Sequence, residues 1–294
     1  MRIANVDGRV TLVPEGIATI ACDRGRTVPG VDVERASRGR FGPDPQAVFD
    51  GWDRFDAWAR TLDPAGGDVE VTAEALGPVA PRPSQVFAVG LNYAAHVAET
   101  MREAPPSPSV FTKFPTCLAG PSAAVPLPPG SVDWEVELVV VVGRSARSVP
   151  RKAAWGHVAG VAVGQDFSER DLQMSGTVPQ FSLAKSYPGF GPVGPALVTV
   201  DELPDPDDLA IGCTVDGETM QDARTSMMIF DVPAIIEHLS AVLPLRPGDL
   251  IFTGTPAGVG MGRSPKRFLR AGEVVESRIA GIGCLVNRMV AAAG

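Results

Sequence analysis

Glu135 and Glu137 stand two residues apart in Asp133-Trp-Glu-Val-Glu-Leu-Val-Val-Val-Val142, a stretch that is otherwise apolar. Side chains of an extended chain alternate, so both carboxylates point to one face while Trp134, Val136, Leu138, Val140 and Val142 line the other. Val139 and Val141 continue the glutamate face, so farther along both faces read as buried. Two like charges beside a core repel each other and are costly to desolvate. A hard divalent cation between them would remove both costs. The plainer reading is a strand end emerging into water with both acids solvated, since Glu is seldom buried without a partner. A third acid shifts the balance. Gly160-Val-Ala-Val-Gly164 reads as another buried strand, and Gln165-Asp166 follows directly at its end. Such an Asp also serves as a helix cap, and Ser168-Glu-Arg-Asp171 has the look of a first helical turn. Three carboxylates on two strand ends, with no Cys or His at ligand spacing, argue for an all-oxygen site. That site suits Mg²⁺, Mn²⁺ or Ca²⁺ rather than zinc.

Four further segments offer chemistry. His96 is followed three residues later by Glu99, a spacing that puts both on one helix face and lets the carboxylate orient the imidazole and raise its basicity. Such a pair can take a proton from water; an exposed helix with an incidental ion pair is the alternative. Lys185 precedes the Gly-Pro-rich Pro188–Pro192 loop and could meet a developing enolate, although most loop lysines are simply solvated. Arg170 and Gln173 follow Asp166 on its helix, within reach of a substrate carboxylate. Thr253-Gly254-Thr255 opens a Gly-rich turn with no G-K-[ST], so a nucleotide cradle is a weak reading. Backbone N–H groups and hydroxyls there meeting a small anion is the better one.

These groups need a scaffold, and the 294 residues, 45% hydrophobic, suffice for one large domain or two. Residues 1–76 read as a small leading α/β module, with an Asp7-Gly8 hairpin and an amphipathic helix from Pro45 to Leu62; 77–84, rich in proline, reads as a linker. Short strands dominate from 85 to 294, among them Trp134–Val142, Gly160–Gly164, Ala196–Val200, Leu250–Thr253 and Val274–Ile279. Helices are expected after Asn92, around Arg151–His157 and over Asp231–Leu243. The expectation is an α+β fold, predominantly β, with helices at its periphery. A net charge of -8 speaks against nucleic acid or an anionic membrane as partner. No apolar run approaches membrane-spanning length, and the Met1-Arg-Ile-Ala start has no signal pattern. Cys22, Cys117, Cys213 and Cys284 are scattered, so no disulfide framework is indicated and a soluble cytoplasmic protein is expected.

Taken in order, the motifs resemble those of the fumarylacetoacetate hydrolase family. They are Gly90-Leu-Asn92-Tyr93-x-x-His96, Asp133-Trp-Glu135-Val-Glu137-Leu, Gln165-Asp166-Phe-Ser-Glu-Arg170-Asp171-Leu-Gln173 and Ala184-Lys185-Ser186. Gln221-Asp222-x-x-Thr225-Ser-x-Met228-Ile-Phe230, Pro247-Gly-Asp-Leu-Ile-Phe-Thr253-Gly254-Thr255-Pro-x-Gly258-Val-Gly260 and Gly281-Ile-Gly283 complete the set. The resemblance implies a mixed β-sandwich roll, usually homodimeric, with Mg²⁺ (or Mn²⁺, Ca²⁺) on Glu135, Glu137 and Asp166. It implies His96 and Glu99 as an acid–base dyad on a lid helix and Lys185 as electrophilic stabiliser. Arg170, Gln173, Thr253, Gly254 and Thr255 would hold a small 2-oxo or diketo acid, with Tyr93 a weaker candidate. Hydrolysis of a C–C bond in an acylpyruvate-type acid is the expected reaction. Hydroxymuconate-type isomerisation and oxaloacetate decarboxylation are rivals on the same site, and a silent metal-binding scaffold is a remoter one. Gln165, Trp134, Ala184 and Arg224 depart from the usual residues, and the segment around Ala184 and Tyr187–Pro192 leaves the pocket beside Lys185 open in shape.

Overall fold

The Asp7-Gly8 and Asp216-Gly217 pairs both close tight hairpins, with φ of 49° and 79° at the first and 49° and 82° at the second. Positive φ at both central residues matches the right-handed twist of the flanking strands, which is why Asp-Gly is used there. They join Arg2–Val6 to Arg9–Leu12, and Ala210–Val215 to Glu218–Arg224. The computed structural model describes residues 1–292 except Arg24.

The chain builds one twelve-stranded mixed sheet, a five-stranded sheet packed against it, and a two-stranded ribbon. In the large sheet Gly191–Val198, Val158–Gln165, Val136–Val142, Leu250–Phe252 and Val86–Gly90 lie side by side in that order. Leu250–Phe252 runs parallel to Val86–Gly90; every other pairing in this series is antiparallel. These directions carry the site. The C-terminal ends of Val86–Gly90, Leu250–Phe252 and Val158–Gln165 meet the N-terminal ends of Val136–Val142 and Gly191–Val198. The lid after Gly90, the Thr253 turn, Glu137, Asp166 and the segment after Lys185 therefore gather at one end of the sheet. The fold is the expected predominantly β roll, with short helices outside it.

Val136–Val142 is buried over its whole length, and its alternate residues enter two different cores. Leu138 and Val140 pack with Ile211, Val275 and Leu285 of the five-stranded sheet. Val139 and Val141 pack with Trp52, Phe55 and Leu12 of the leading segment. Fully burying such side chains contributes about 1.5–3 kcal/mol each, so this strand is a principal anchor of the fold. Residues 1–76 share that sheet: Arg2–Val6 pairs with Gly191–Val198 through Arg2↔Val198 and Ile3↔Leu197.

Several expected elements differ in detail. The strand expected to begin at Trp134 begins at Val136, because side chains take the backbone donors: Gln165 Oε1 accepts from Glu135 N–H (2.8 Å) and Gln221 Oε1 from Val136 N–H (3.0 Å). The helix expected from Pro45 to Leu62 is a 3₁₀ turn, Ala47–Gly51, followed by the α-helix Trp52–Ala59. Gly51 at the junction weakens a continuous helix, while Val48, Trp52, Phe55 and Ala59 still reach the core. Part of the expected Pro188–Pro192 loop is ordered as the start of the strand Gly191–Val198. The reading of the cysteines is corrected: Cys22 and Cys284 form a disulfide. Their separation of 262 residues leaves no local spacing to reveal the pair. Among the described residues, no helix is long and apolar enough to cross a membrane.

Candidate metal and substrate site

Glu137 extends from the buried strand, Asp166 follows Gln165 at the end of the next one, and Glu135 is held just off the ladder by Gln165. One carboxylate oxygen from each of the three lies within 4.8 Å of the others, and all three residues are buried. Four buried carboxylates and three buried cations meet here in all. Lys113 pairs with Asp166 (2.6 Å), Lys185 with Glu135 and Asp166 (2.6 Å each), and Arg170 with Asp133 (2.8 Å) and Glu135 (2.7 Å).

Glu137 alone of the four acids makes no ion pair among the described residues. Its Oε2 accepts one backbone N–H, from Gly254 at 2.7 Å. Burial first, then Asp166 and Glu135, push its carboxyl well above the usual carboxylate range. Glu135 lies at the other extreme. Burial would raise it, but Lys185, Arg170 and His96 outweigh burial and hold it at about 2. Tyr93, at the start of the lid helix, carries a buried hydroxyl with no hydrogen-bond partner, and burial and Glu137 both oppose its ionisation. The three-oxygen donor set and one uncompensated buried carboxylate fit a hard divalent cation. Cation binding at Glu137 is expected to release about one proton. The sign follows from the raised Glu137 pKa. The metal-free folded state keeps a proton that the unfolded chain has lost, so it loses stability as pH rises above the usual carboxylate range. Added Mg²⁺ should therefore raise Tm more at pH 8 than at pH 6, as thermal melts at both pH values would show.

The helix expected to act as a lid spans Ala94–Glu99. His96 Nδ1 lies 2.6 Å from Glu99 Oε1, and Glu99 Oε2 accepts from Gly258 N–H at 2.9 Å. Among the described residues Nε2 is thus the imidazole nitrogen without a partner, and His96 lines the same pocket as Glu135 and Glu137. Asn92 ties the base of the lid to the sheet, donating to Thr253 O (2.7 Å) and Phe230 O (2.9 Å). Gly254 sits beneath it at φ +100°, where an added Cβ would come within 2.7 Å of Asn92 Cβ. Only glycine suits that approach.

Arg170 and Gln173 share the short helix Arg170–Gln173, and Arg170 Nη1 donates to Gln173 Oε1 at 2.9 Å. That bond fixes the Gln173 amide and leaves its N–H groups without a protein partner on the pocket wall. Lys185 spends its three hydrogens on Glu135, Asp166 and Ser168 Oγ (2.7 Å). Thr255 lines the pocket, with its hydroxyl donating to Val136 O (2.9 Å). Thr253 does not line it; its hydroxyl donates to Leu138 O (2.9 Å) from full burial. The anion that this turn meets is the carboxylate of Glu137.

Two residues at the site were not singled out from the sequence. Lys113, fully buried, donates to Asp166, to Phe190 O (3.2 Å) and to Lys185 O. Burial disfavours its charge, but Asp166 and further anionic groups outweigh burial and hold its ammonium above the usual lysine range. The available signal was alternation, because Lys113 shares the phase of Phe111 on the strand Ser109–Thr112 and so points inward. Asp133 accepts from Gly260 N–H (2.6 Å), Met261 N–H (3.0 Å) and Arg170, fixing the Gly-rich turn against the helix Arg170–Gln173.

Comparison with known proteins gives a consistent picture. The family profile described as Fumarylacetoacetate (FAA) hydrolase C-terminal matches residues 85–290. Bos taurus "Oxaloacetate tautomerase FAHD2A, mitochondrial" is 44% identical over 217 residues, 73% of this chain and 69% of that protein. A Mycobacterium smegmatis crystal structure, provisionally named HpcE, is 53% identical with a TM-score of 0.91, covering 100% of both chains. Maleylpyruvate hydrolase from Sphingobium sp. SYK-6, solved with manganese(II) and pyruvate, is 26% identical with a TM-score of 0.76, again over 100% of both chains.

Proposed function

The chain belongs to the fumarylacetoacetate hydrolase family, and from that premise we propose that it is a divalent-metal-dependent enzyme interconverting the enol and keto forms of a small 2-oxo acid of the oxaloacetate type. The observation that carries this reading is one pocket lined by Glu135 and Glu137, with Asp166 within 4.8 Å of both, beside an imidazole whose free nitrogen is Nε2. The 44% identity to an oxaloacetate tautomerase favours proton transfer at carbon as the outcome.

Glu135, Glu137 and Asp166 would hold Mg²⁺ or Mn²⁺, whose positive charge would favour the enolate over the keto acid. Gln173 N–H groups, oriented by Arg170, bind the substrate carboxylate. His96 Nε2 takes the proton from the carbon next to the oxo group, and Glu99 stabilises the imidazolium that results. The pair left on carbon forms the new C=C bond, and the π pair of the C=O bond moves onto the oxo oxygen. Lys185 gives up its bond to Ser168, its one neutral partner, and donates to that oxygen. The His96 imidazolium passes its proton through solvent to that oxygen, which completes the enol and restores the neutral imidazole, and the reverse path returns the proton to carbon.

A second reading is the C–C hydrolysis expected from the sequence, with His96 activating water instead. It is favoured by the similarity to maleylpyruvate hydrolase. Mass separates the outcomes: tautomerisation conserves it, decarboxylation loses CO₂, and hydrolysis gives pyruvate and a second acid. With oxaloacetate, His96→Ala is expected to slow enol–keto exchange about 10²- to 10⁴-fold with Mg²⁺ affinity unchanged. Exchange at the wild-type rate in His96→Ala, followed by ultraviolet absorbance of the enol, would refute the role of His96.

A further inference from the structure

One cation at the pocket is left without an anionic partner. Arg102 lines the cavity that contains His96, Glu135 and Glu137, yet makes no ion pair among the described residues. Among the described residues its guanidinium contacts only Met174 Sδ as a hydrogen-bond partner, at 3.9 Å from Nη2. By contrast, Arg170 deeper in the site is tied to Asp133, Glu135 and Gln173. Leu91, Phe111, Met174, Phe181 and Met261 give the same pocket an apolar lining, and Arg102 is exposed while Arg170 is buried, so Arg102 stands as the positive group at the outer end.

The backbone fixes where that group stands. Arg102 N–H donates to Val97 O (3.2 Å) and Met101 N–H to Ala98 O (3.1 Å), the paired bonds that close a helix in a Schellman turn. Met101 takes the left-handed conformation this turn requires, at φ 54°, and its side chain is 94% exposed. A strained backbone position with an unburied side chain owes its conformation to the turn, and the turn directs the next residue back to the pocket. Arg102 is thereby attached to the helix that carries His96 and Glu99.

We propose that Arg102 sets substrate specificity by binding the distal carboxylate of a 2-oxo diacid whose oxo-acid end lies at the inner carboxylate cluster. This rests on the functional reading above, which places the oxo-acid end but does not address the other. Arg102 is exposed at the pocket rim with its fork uncommitted, and a bidentate fork on a planar carboxylate is what lifts such a pair above an ordinary surface ion pair. Because the arginine rides on the lid helix, the same contact draws His96 toward the substrate, and a monoacid of equal length lacks that hold.

The test compares two four-carbon acids, oxaloacetate and 2-oxobutanoate, which differ at the far carbon as carboxylate against methyl. Calorimetric titration with Mg²⁺ present should show wild type favouring oxaloacetate by about tenfold or more. Arg102→Ala should erase that preference by weakening oxaloacetate alone, and Arg102→Lys should restore part of it. Arg102→Ala retaining the preference, or weakening both acids equally, overturns the proposal, as does a wild type without preference. A wild type that shows the Arg102-dependent preference but no enol–keto exchange would sink the functional reading and leave this one standing.

Discussion

Glu137→Gln is expected to raise the Tm of the metal-free protein while abolishing the further rise that Mg²⁺ produces. The two effects have opposite signs because Glu137 is the carboxylate that no side-chain cation accompanies among the described residues. Gln is neutral at every pH, so it removes the cost of keeping the Glu137 carboxyl protonated above the usual carboxylate range, a cost that burial, Asp166 and Glu135 impose on the metal-free fold. Its amide oxygen can still accept the Gly254 N–H that now meets Glu137 Oε2 at 2.7 Å. Cation binding loses one of three charged oxygens, and a fall in Mg²⁺ affinity of at least about 100-fold is expected, since even residues supporting a ligand cost 10–100-fold. Calorimetric titration reads the affinity and differential scanning calorimetry the stability. A metal-free Glu137→Gln protein that melts lower than wild type would show Glu137 to be a structural acid, and the cation reading would lose its main support.

The acidic triad was legible because alternation on a strand is a strong local signal. Two glutamates in phase within an apolar run predict a shared face, and the structure places them with Asp166 within 4.8 Å. His96 and Glu99 were legible for the parallel reason that a spacing of three on a helix brings side chains together, here to 2.6 Å. Hydrogen bonds that replace the regular ladder were not legible. The side-chain amides of Gln165 and Gln221 hold Glu135 and Val136, and nothing in local spacing announces a glutamine standing in for a backbone carbonyl. Nor was the use of the Thr253 and Thr255 hydroxyls, which serve the neighbouring strand at Leu138 O and Val136 O. Long-range pairs escape for a related reason. Cys22–Cys284 and Lys113–Asp166 become neighbours only once the strand order is known, and that order depends on contacts across the whole chain.

Lys113→Met is expected to cost about 3–5 kcal/mol of folding stability, the range for removing one partner of a buried ion pair. Its ammonium serves three acceptors: the Asp166 carboxylate, Phe190 O and Lys185 O. With Lys113 gone, those carbonyls stay buried without their donor, and among the described residues Asp166 keeps Lys185 as its only side-chain cation. Met matches the length of the stem, so packing beside Gly191 and the Phe252 ring changes little, and the loss reports charge rather than a cavity. Adding Asp166→Asn to Lys113→Met tests the coupling, because it removes the anion that Lys113 accompanies. The double variant should recover about 1–3 kcal/mol in urea denaturation, an interaction energy typical of groups in direct contact. If Lys113→Met unfolds within 1 kcal/mol of wild type, or if the two substitutions simply add, the lysine is dispensable to the cluster. The balance of four acids against three cations would then need another account.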